Sequence, residues 1–179
     1  MRHSRSRRAR ICILALVLAA GAACLAAQAI EVLESSGYAE TLLPDIGWRQ
    51  AVVGRQLPAG SALTSWLGAR AKLDYRGSLL ELGPLSLLRV LDLQPASARL
   101  SLSEGGLSID AKDTAFELEY RGMTVRVESG SIALEGGLLS VASGSASVSG
   151  YLKDVVVLPS GARMNLLERA PGPVFLSFP

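Results

Sequence analysis

Beyond position 30 the sequence contains no histidine and no cysteine; His3, Cys12 and Cys24 are the whole complement. This excludes from the body of the chain a Ser-His-Asp triad, a Cys-His pair, a Cys/His zinc site and an intradomain disulfide. Aromatic residues make up 5% of the chain, too few to suggest a stacking platform for bases or sugars. Basic residues are scarce where they would count for nucleic acid. Of 18 Lys and Arg, five (Arg2, Arg5, Arg7, Arg8, Arg10) lie in the first ten positions, leaving 13 against 16 Asp and Glu, a net of −3 from Glu31 onward. The body carries no electrostatic footprint for nucleic acid.

What remains gives little catalytic chemistry. Glu117 and Glu119 are two apart in an alternating segment, which places them on one solvent face of a strand with no accompanying motif. Lys72, Lys112 and Lys153 read as surface lysines. The repeated glycines sit at turns rather than between a strand and a helix, so they form no phosphate loop. No catalytic residue, cofactor or metal site is expected.

What is present begins with the leader. Residues 1–10 are basic and Ile11–Ile30 carries no charge over 20 residues, roughly 30 Å as a helix, the thickness of a bilayer's hydrocarbon core. Arginines before it and Glu31 after it place the N-terminus in the cytoplasm and the body in the periplasm. Residues 1–30 therefore read as a membrane anchor or as a signal peptide, with an A-x-A site at Ala27-Gln28-Ala29 and cleavage after Ala29. The first reading gives a single-pass inner-membrane protein, the second a soluble periplasmic one.

Residues 31–60 read as a linker or short helix, Ile30–Leu43 continuing a helix that Pro44 ends. Residues 61–168 read as a periplasmic β-domain and 169–179 as a tail. From Ala98 onward, short apolar/polar alternations are separated by Gly105-Gly106, Lys112-Asp113, Arg121-Gly122, Ser129-Gly130, Gly136-Gly137 and Ser143-Gly144. Five of these six breaks have Gly second, as tight hairpins prefer. Two-residue turns would set Leu102 opposite Ile109, Ile109 opposite Phe116, Phe116 opposite Val127, Leu118 opposite Val125, Val127 opposite Ile132, Leu134 opposite Leu139 and Ile132 opposite Val141. An earlier hairpin at Arg76-Gly77 sets Leu73 opposite Leu80 and Lys72 opposite Glu81.

The expectation is an all-β fold, an antiparallel meander of seven strands over 98–151, forming a curled sheet or an open β-groove. Pro84–Leu93 reads as a helix lying on the sheet or as another strand, and a last hairpin turns at Pro159-Ser160-Gly161. The face carrying Leu102, Ile109, Phe116, Leu118, Val125, Val127, Ile132, Leu134 and Val141 is ordinary core or a surface for an acyl chain or a partner strand. Trp48 and Trp66 read as packing anchors.

The run Ser65-Trp66-Leu67-Gly68-Ala69-Arg70-Ala71, followed by Leu73, Gly77 and Leu82-Gly83-Pro84-Leu85-Ser86, resembles the early part of type II secretion system protein N. The alternating sheet with Gly-rich turns is also similar to AsmA-like envelope proteins and to periplasmic domains of lipopolysaccharide-export proteins. The resemblance implies a non-enzymatic cell-envelope protein serving protein secretion or envelope assembly. Its expected partners are the inner membrane and other envelope or secretion proteins met through sheet edges. The alternative is a lipid or lipopolysaccharide transport module that uses the apolar face.

Overall fold

The computed structural model describes residues 28–150 and 154–167. Residues 1–27 of the anchor or signal peptide and the 169–179 tail lie outside these residues, whereas Ala29 and Ile30, read as the end of the leader, are instead the start of the first strand, with Ile30 buried in the core. Among the described residues no helix is long and apolar enough to cross a membrane.

Every regular element described is a strand: β1 (Ala29–Ser36), β2 (Ala39–Leu43), β3 (Gly47–Gln50), β4 (Gln56–Pro58), β5 (Ala62–Ser65), β6 (Arg70–Tyr75), β7 (Ser78–Leu82), β8 (Ser86–Gln94), β9 (Ser97–Leu102), β10 (Gly106–Ala111), β11 (Ala115–Tyr120), β12 (Met123–Glu135), β13 (Leu138–Ser149), β14 (Val156–Pro159) and β15 (Arg163–Asn165). They form one curled sheet built as two lobes on a long central hairpin. The first lobe runs β3-β2-β5-β8-β9-β11 and the second β4-β1-β6-β7-β10; both end on β12. Along the same edge of β12, β11 pairs with Met123–Val127 and β10 with Gly130–Glu135. β13 covers the opposite edge and carries β14 and β15.

The lobes diverge where β12 and β13 bend. Their register shifts between Val127 and Gly130, and Gly130 lies opposite Gly144. Both glycines have positive φ, +110° and +73°. A Cβ on either would collide with the carbonyl oxygen across the pair, that of Ser143 or Ser129. Only glycine permits this approach, so the bend is written into two positions.

Folding one lobe over the other buries the apolar face against itself. Tyr75 on β6 meets Phe116 on β11 edge-on at 6.5 Å between ring centroids. The Tyr75 hydroxyl donates to the Gln94 carbonyl at the end of β8, 2.8 Å away, so a side chain of the second lobe ties down the first. Burial pushes the Tyr75 phenol above its ordinary range, with Arg76 opposing and Asp92 adding to the shift. The folded state therefore holds this proton more tightly than the unfolded chain does. The associated stability is complete below the unfolded value, near 10, and is lost as pH rises through the folded one. Tyr75→Phe is expected to lower stability by about 1 kcal/mol near neutral pH and to flatten the decline in alkali. Urea titrations at neutral and alkaline pH measure both effects.

Several sequence expectations hold. The hairpins at Arg76-Gly77, Arg121-Gly122 and Gly136-Gly137 form with Leu73 opposite Leu80, Leu118 opposite Val125 and Leu134 opposite Leu139. Other expectations are corrected. The 98–151 segment is five strands rather than a seven-strand meander, because Ser129-Gly130 and Ser143-Gly144 lie inside β12 and β13 as the bend. Gly105-Gly106 and Lys112-Asp113 carry the chain between lobes. Leu102 consequently lies opposite Leu88, Ile109 between Leu80 and Ile132, and β11 runs parallel to β9.

Residues 31–60 are no linker or helix but part of the domain. Ile30 and Val32 are fully buried at the two-residue period of a strand, and β1 pairs with β4 and β6. Between β1 and β2 the chain turns at Gly37, φ +73°, where a Cβ would stand 2.9 Å from the Ala69 Cα. Residues 86–94 are strand β8, in which a bulge near Leu91 keeps Leu88, Val90 and Leu93 inward. Finally, β14 and β15 do not pair as a hairpin; they lie end to end along β13, opposite Ser145–Val148 and Leu138–Ser140.

Candidate functional site

All nine residues of the sequence-derived face are inside. Leu102, Ile109, Phe116, Leu118, Val125, Val127, Ile132, Leu134 and Val141 are each at most 2% exposed and belong to one core cluster. A ligand using that face would have to part the two lobes. The carboxylates are equally accounted for: Glu117 pairs with Arg126 at 3.3 Å and Glu119 with Arg99 at 2.9 Å, both across neighbouring strands on the solvent face. Such exposed pairs contribute at most about 1 kcal/mol. Alanine at Glu117 or Glu119 is expected to shift the thermal midpoint by no more than a few degrees and to leave function intact, as scanning calorimetry and complementation would show.

The surface offers a different constellation, at the end of the sheet where β1 turns into β2, β5 into β6, and the chain crosses from β7 to β8. Trp66 and Leu67 occupy the β5–β6 turn and are 52% and 82% exposed; Tyr38 and Leu85 from the other two connections are 54% and 56% exposed. Trp66 thus presents its ring rather than anchoring packing, and so does Trp48 at edge strand β3. Backbone bonds hold the three connections together. The Trp66 N–H donates to the Tyr38 carbonyl at 3.0 Å, and the Trp66 carbonyl accepts from Ala69 at 3.0 Å and Leu85 at 3.4 Å. The Tyr38 and Trp66 rings meet edge-on at 6.0 Å. The Tyr38 hydroxyl donates to Glu40 at 3.0 Å, and that carboxylate raises the phenol above its ordinary value.

Beneath this patch, two buried serines fix the backbone. Ser65 Oγ donates to the Gly83 carbonyl and accepts from the Ser86 N–H at 3.1 Å. Ser86 Oγ accepts from the Gly106 N–H at 2.9 Å. Leu85, held between them, adopts φ +51°, a left-handed conformation that is uncommon for a leucine and costs energy. The strained backbone delivers its side chain outward.

Adjoining Leu85 is a cleft of about 970 Å³ whose walls include the 83–85 and 104–106 crossings and the β11–β12 and β12–β13 turns. Lys72 lies in it between Glu34 at 3.7 Å and Glu81 at 3.6 Å, with Arg70 and Arg121 nearby and Val53, Leu85 and Leu167 as apolar lining.

No protein-family model and no curated protein matches this chain. Among solved structures it is similar to a candidate anti-sigma factor from Parabacteroides distasonis ATCC 8503, seen in two crystal structures. The TM-score is 0.48 for each, at 15% and 16% sequence identity, and the match covers 57% of this chain and 57% of that one.

The patch was missed in the sequence because its four members, Tyr38, the adjacent Trp66 and Leu67, and Leu85, are divided among three separate turns. The usable signal was an apolar residue where turn chemistry asks for a polar one. Among the described residues no group of three His, Cys, Asp or Glu side chains is placed to hold a metal ion.

Proposed function

We propose that this protein is a non-enzymatic component of the bacterial cell envelope. Its β-domain serves protein secretion or envelope assembly by docking a protein partner on the Tyr38–Trp66–Leu67–Leu85 patch. One observation carries this reading. The two sequence segments that resemble type II secretion system protein N, Ser65–Ala71 and Leu82–Ser86, are joined in space through the Trp66 carbonyl and the Leu85 N–H. At their junction stand four exposed apolar side chains. An interface core wants such a cluster of aromatic and aliphatic side chains on a rigid backbone. The sealed interior favours a protein partner over an acyl chain.

The test is a strain whose full-length protein carries Leu67→Glu and Leu85→Gly. Neither change removes a buried side chain, and glycine relaxes the left-handed strain at position 85. The variant should accumulate and melt like the parent while exoprotein release or detergent resistance falls to the level of a deletion strain. Normal secretion together with normal detergent resistance would refute the reading.

A further inference from the structure

We infer that the β2–β3 hairpin, through Ile46 and Trp48, rests in the headgroup layer of the membrane from which the chain emerges. This rests on the envelope reading and its anchor form of the leader. It uses nothing of the Trp66 patch, so it and the secretion reading can fail separately.

Where the chain enters the sheet is the first argument. The charge-free run Ile11–Ile30 gives up its last two residues to β1, with Ile30 fully buried. On the anchor reading, the part of the run before Gln28 amounts to roughly 26 Å of helix. All of it is needed for a hydrocarbon core of about 30 Å. No linker is left over, so the end of the sheet at Ala29 stands against the bilayer surface.

The hairpin shares that end. Ala29 pairs with Pro58, and a Cβ on Gly60 would stand 3.4 Å from the Pro44 Cγ. The turn after β2, Pro44-Asp45-Ile46, is therefore delivered beside the point of entry. Leu91 is close by, since the Gly60 N–H donates to the Val90 carbonyl at 2.8 Å. The Trp66 patch lies one length of β1 away, about 26 Å, because Trp66 bonds to Tyr38 just past the far end of that strand.

The side chains suit an interface. Ile46 and Trp48 are 52% and 44% exposed, and Pro44, Pro58 and Ala59 around them are exposed and uncharged. An indole, apolar in body with a polar N–H, settles at headgroup level. Asp45 at the turn and Arg49 next to Trp48 carry charge. Either would be costly in hydrocarbon, which holds the hairpin at headgroup depth. A protein partner could use the same two side chains at any end of the sheet; their place beside the chain's entry singles out the bilayer.

The chain has two tryptophans, one at each end of the sheet, and this makes the test direct. Full-length protein carrying Trp66→Phe or Trp48→Phe is reconstituted into vesicles of phosphatidylethanolamine and phosphatidylglycerol that contain lipid brominated high on the acyl chain. Emission from Trp48 is expected to fall on the order of twofold while that from Trp66 stays unchanged, because only Trp48 sits at interfacial depth. Adding Ile46→Glu to the Trp66→Phe protein should restore the Trp48 emission and leave the thermal midpoint in place, since Ile46 is exposed. Equal quenching of the two tryptophans, no quenching of Trp48, or quenching unchanged by Ile46→Glu would each overturn the inference.

Discussion

Alanine at Gly130 is expected to destabilise the domain by on the order of 4 kcal/mol, lowering its thermal midpoint by roughly 10 °C. The methyl group would carry two penalties. It forces a side chain into φ +110°, and it drives a Cβ into the Ser143 carbonyl across the β12–β13 pair. Neither neighbour is a flexible tip that could move aside, because both are backbone at the point where two lobes diverge. Gly161 supplies the control. It also has positive φ, +82°, but a Cβ there meets nothing within 4 Å, so Gly161→Ala should cost only about 1 kcal/mol. Urea denaturation of the two variants separates the conformational cost they share from the collision that only Gly130 suffers. Equal losses would mean that the bend is not pinned by close approach.

Aspartate at Leu118 should abolish folding altogether. Leu118 is fully buried between its cross-strand partner Val125 and its parallel neighbour Leu100. The substitution removes a large apolar side chain, worth about 2–5 kcal/mol in cores, and puts in its place a carboxylate with no partner, worth several more. The sum approaches or exceeds the 5–15 kcal/mol total stability of an ordinary domain. Circular dichroism and size exclusion of the full chain would show an unfolded or aggregated protein. A folded, monomeric Leu118→Asp variant that had merely lost bound lipid would instead establish the face as a groove and reverse the preference for a protein partner.

Strand identity was legible wherever inward residues alternate with outward ones, as in Phe116, Leu118 and Tyr120 facing Val127, Val125 and Met123. Pairing was less so. Matching apolar to apolar across a proposed turn cannot distinguish neighbours, because most strands of the sheet present apolar residues to the same core. Leu102 satisfies the rule opposite Ile109 on paper and opposite Leu88 in the fold. Glycine breaks were ambiguous for a related reason. A positive φ serves a hairpin at Gly122 and Gly137, but an internal bend at Gly130 and Gly144. The candidate site was less legible still. Its members come from turns 38, 66–67 and 85, brought together by the Trp66 carbonyl and N–H bonds and by the buried Ser65 and Ser86 hydroxyls.

By itself the sequence determined the material: a charge-free leader behind basic residues, a body without His or Cys, and an alternation that admits strands and one apolar face. These follow from side-chain chemistry and a period of two, which are local properties. Tertiary structure decided which strands meet, that the apolar face closes on itself, and which apolar residues are left outside. Those outcomes depend on close backbone approach between residues far apart in the chain, as at Gly130 with Ser143 and Gly37 with Ala69. No local pattern encodes that distance.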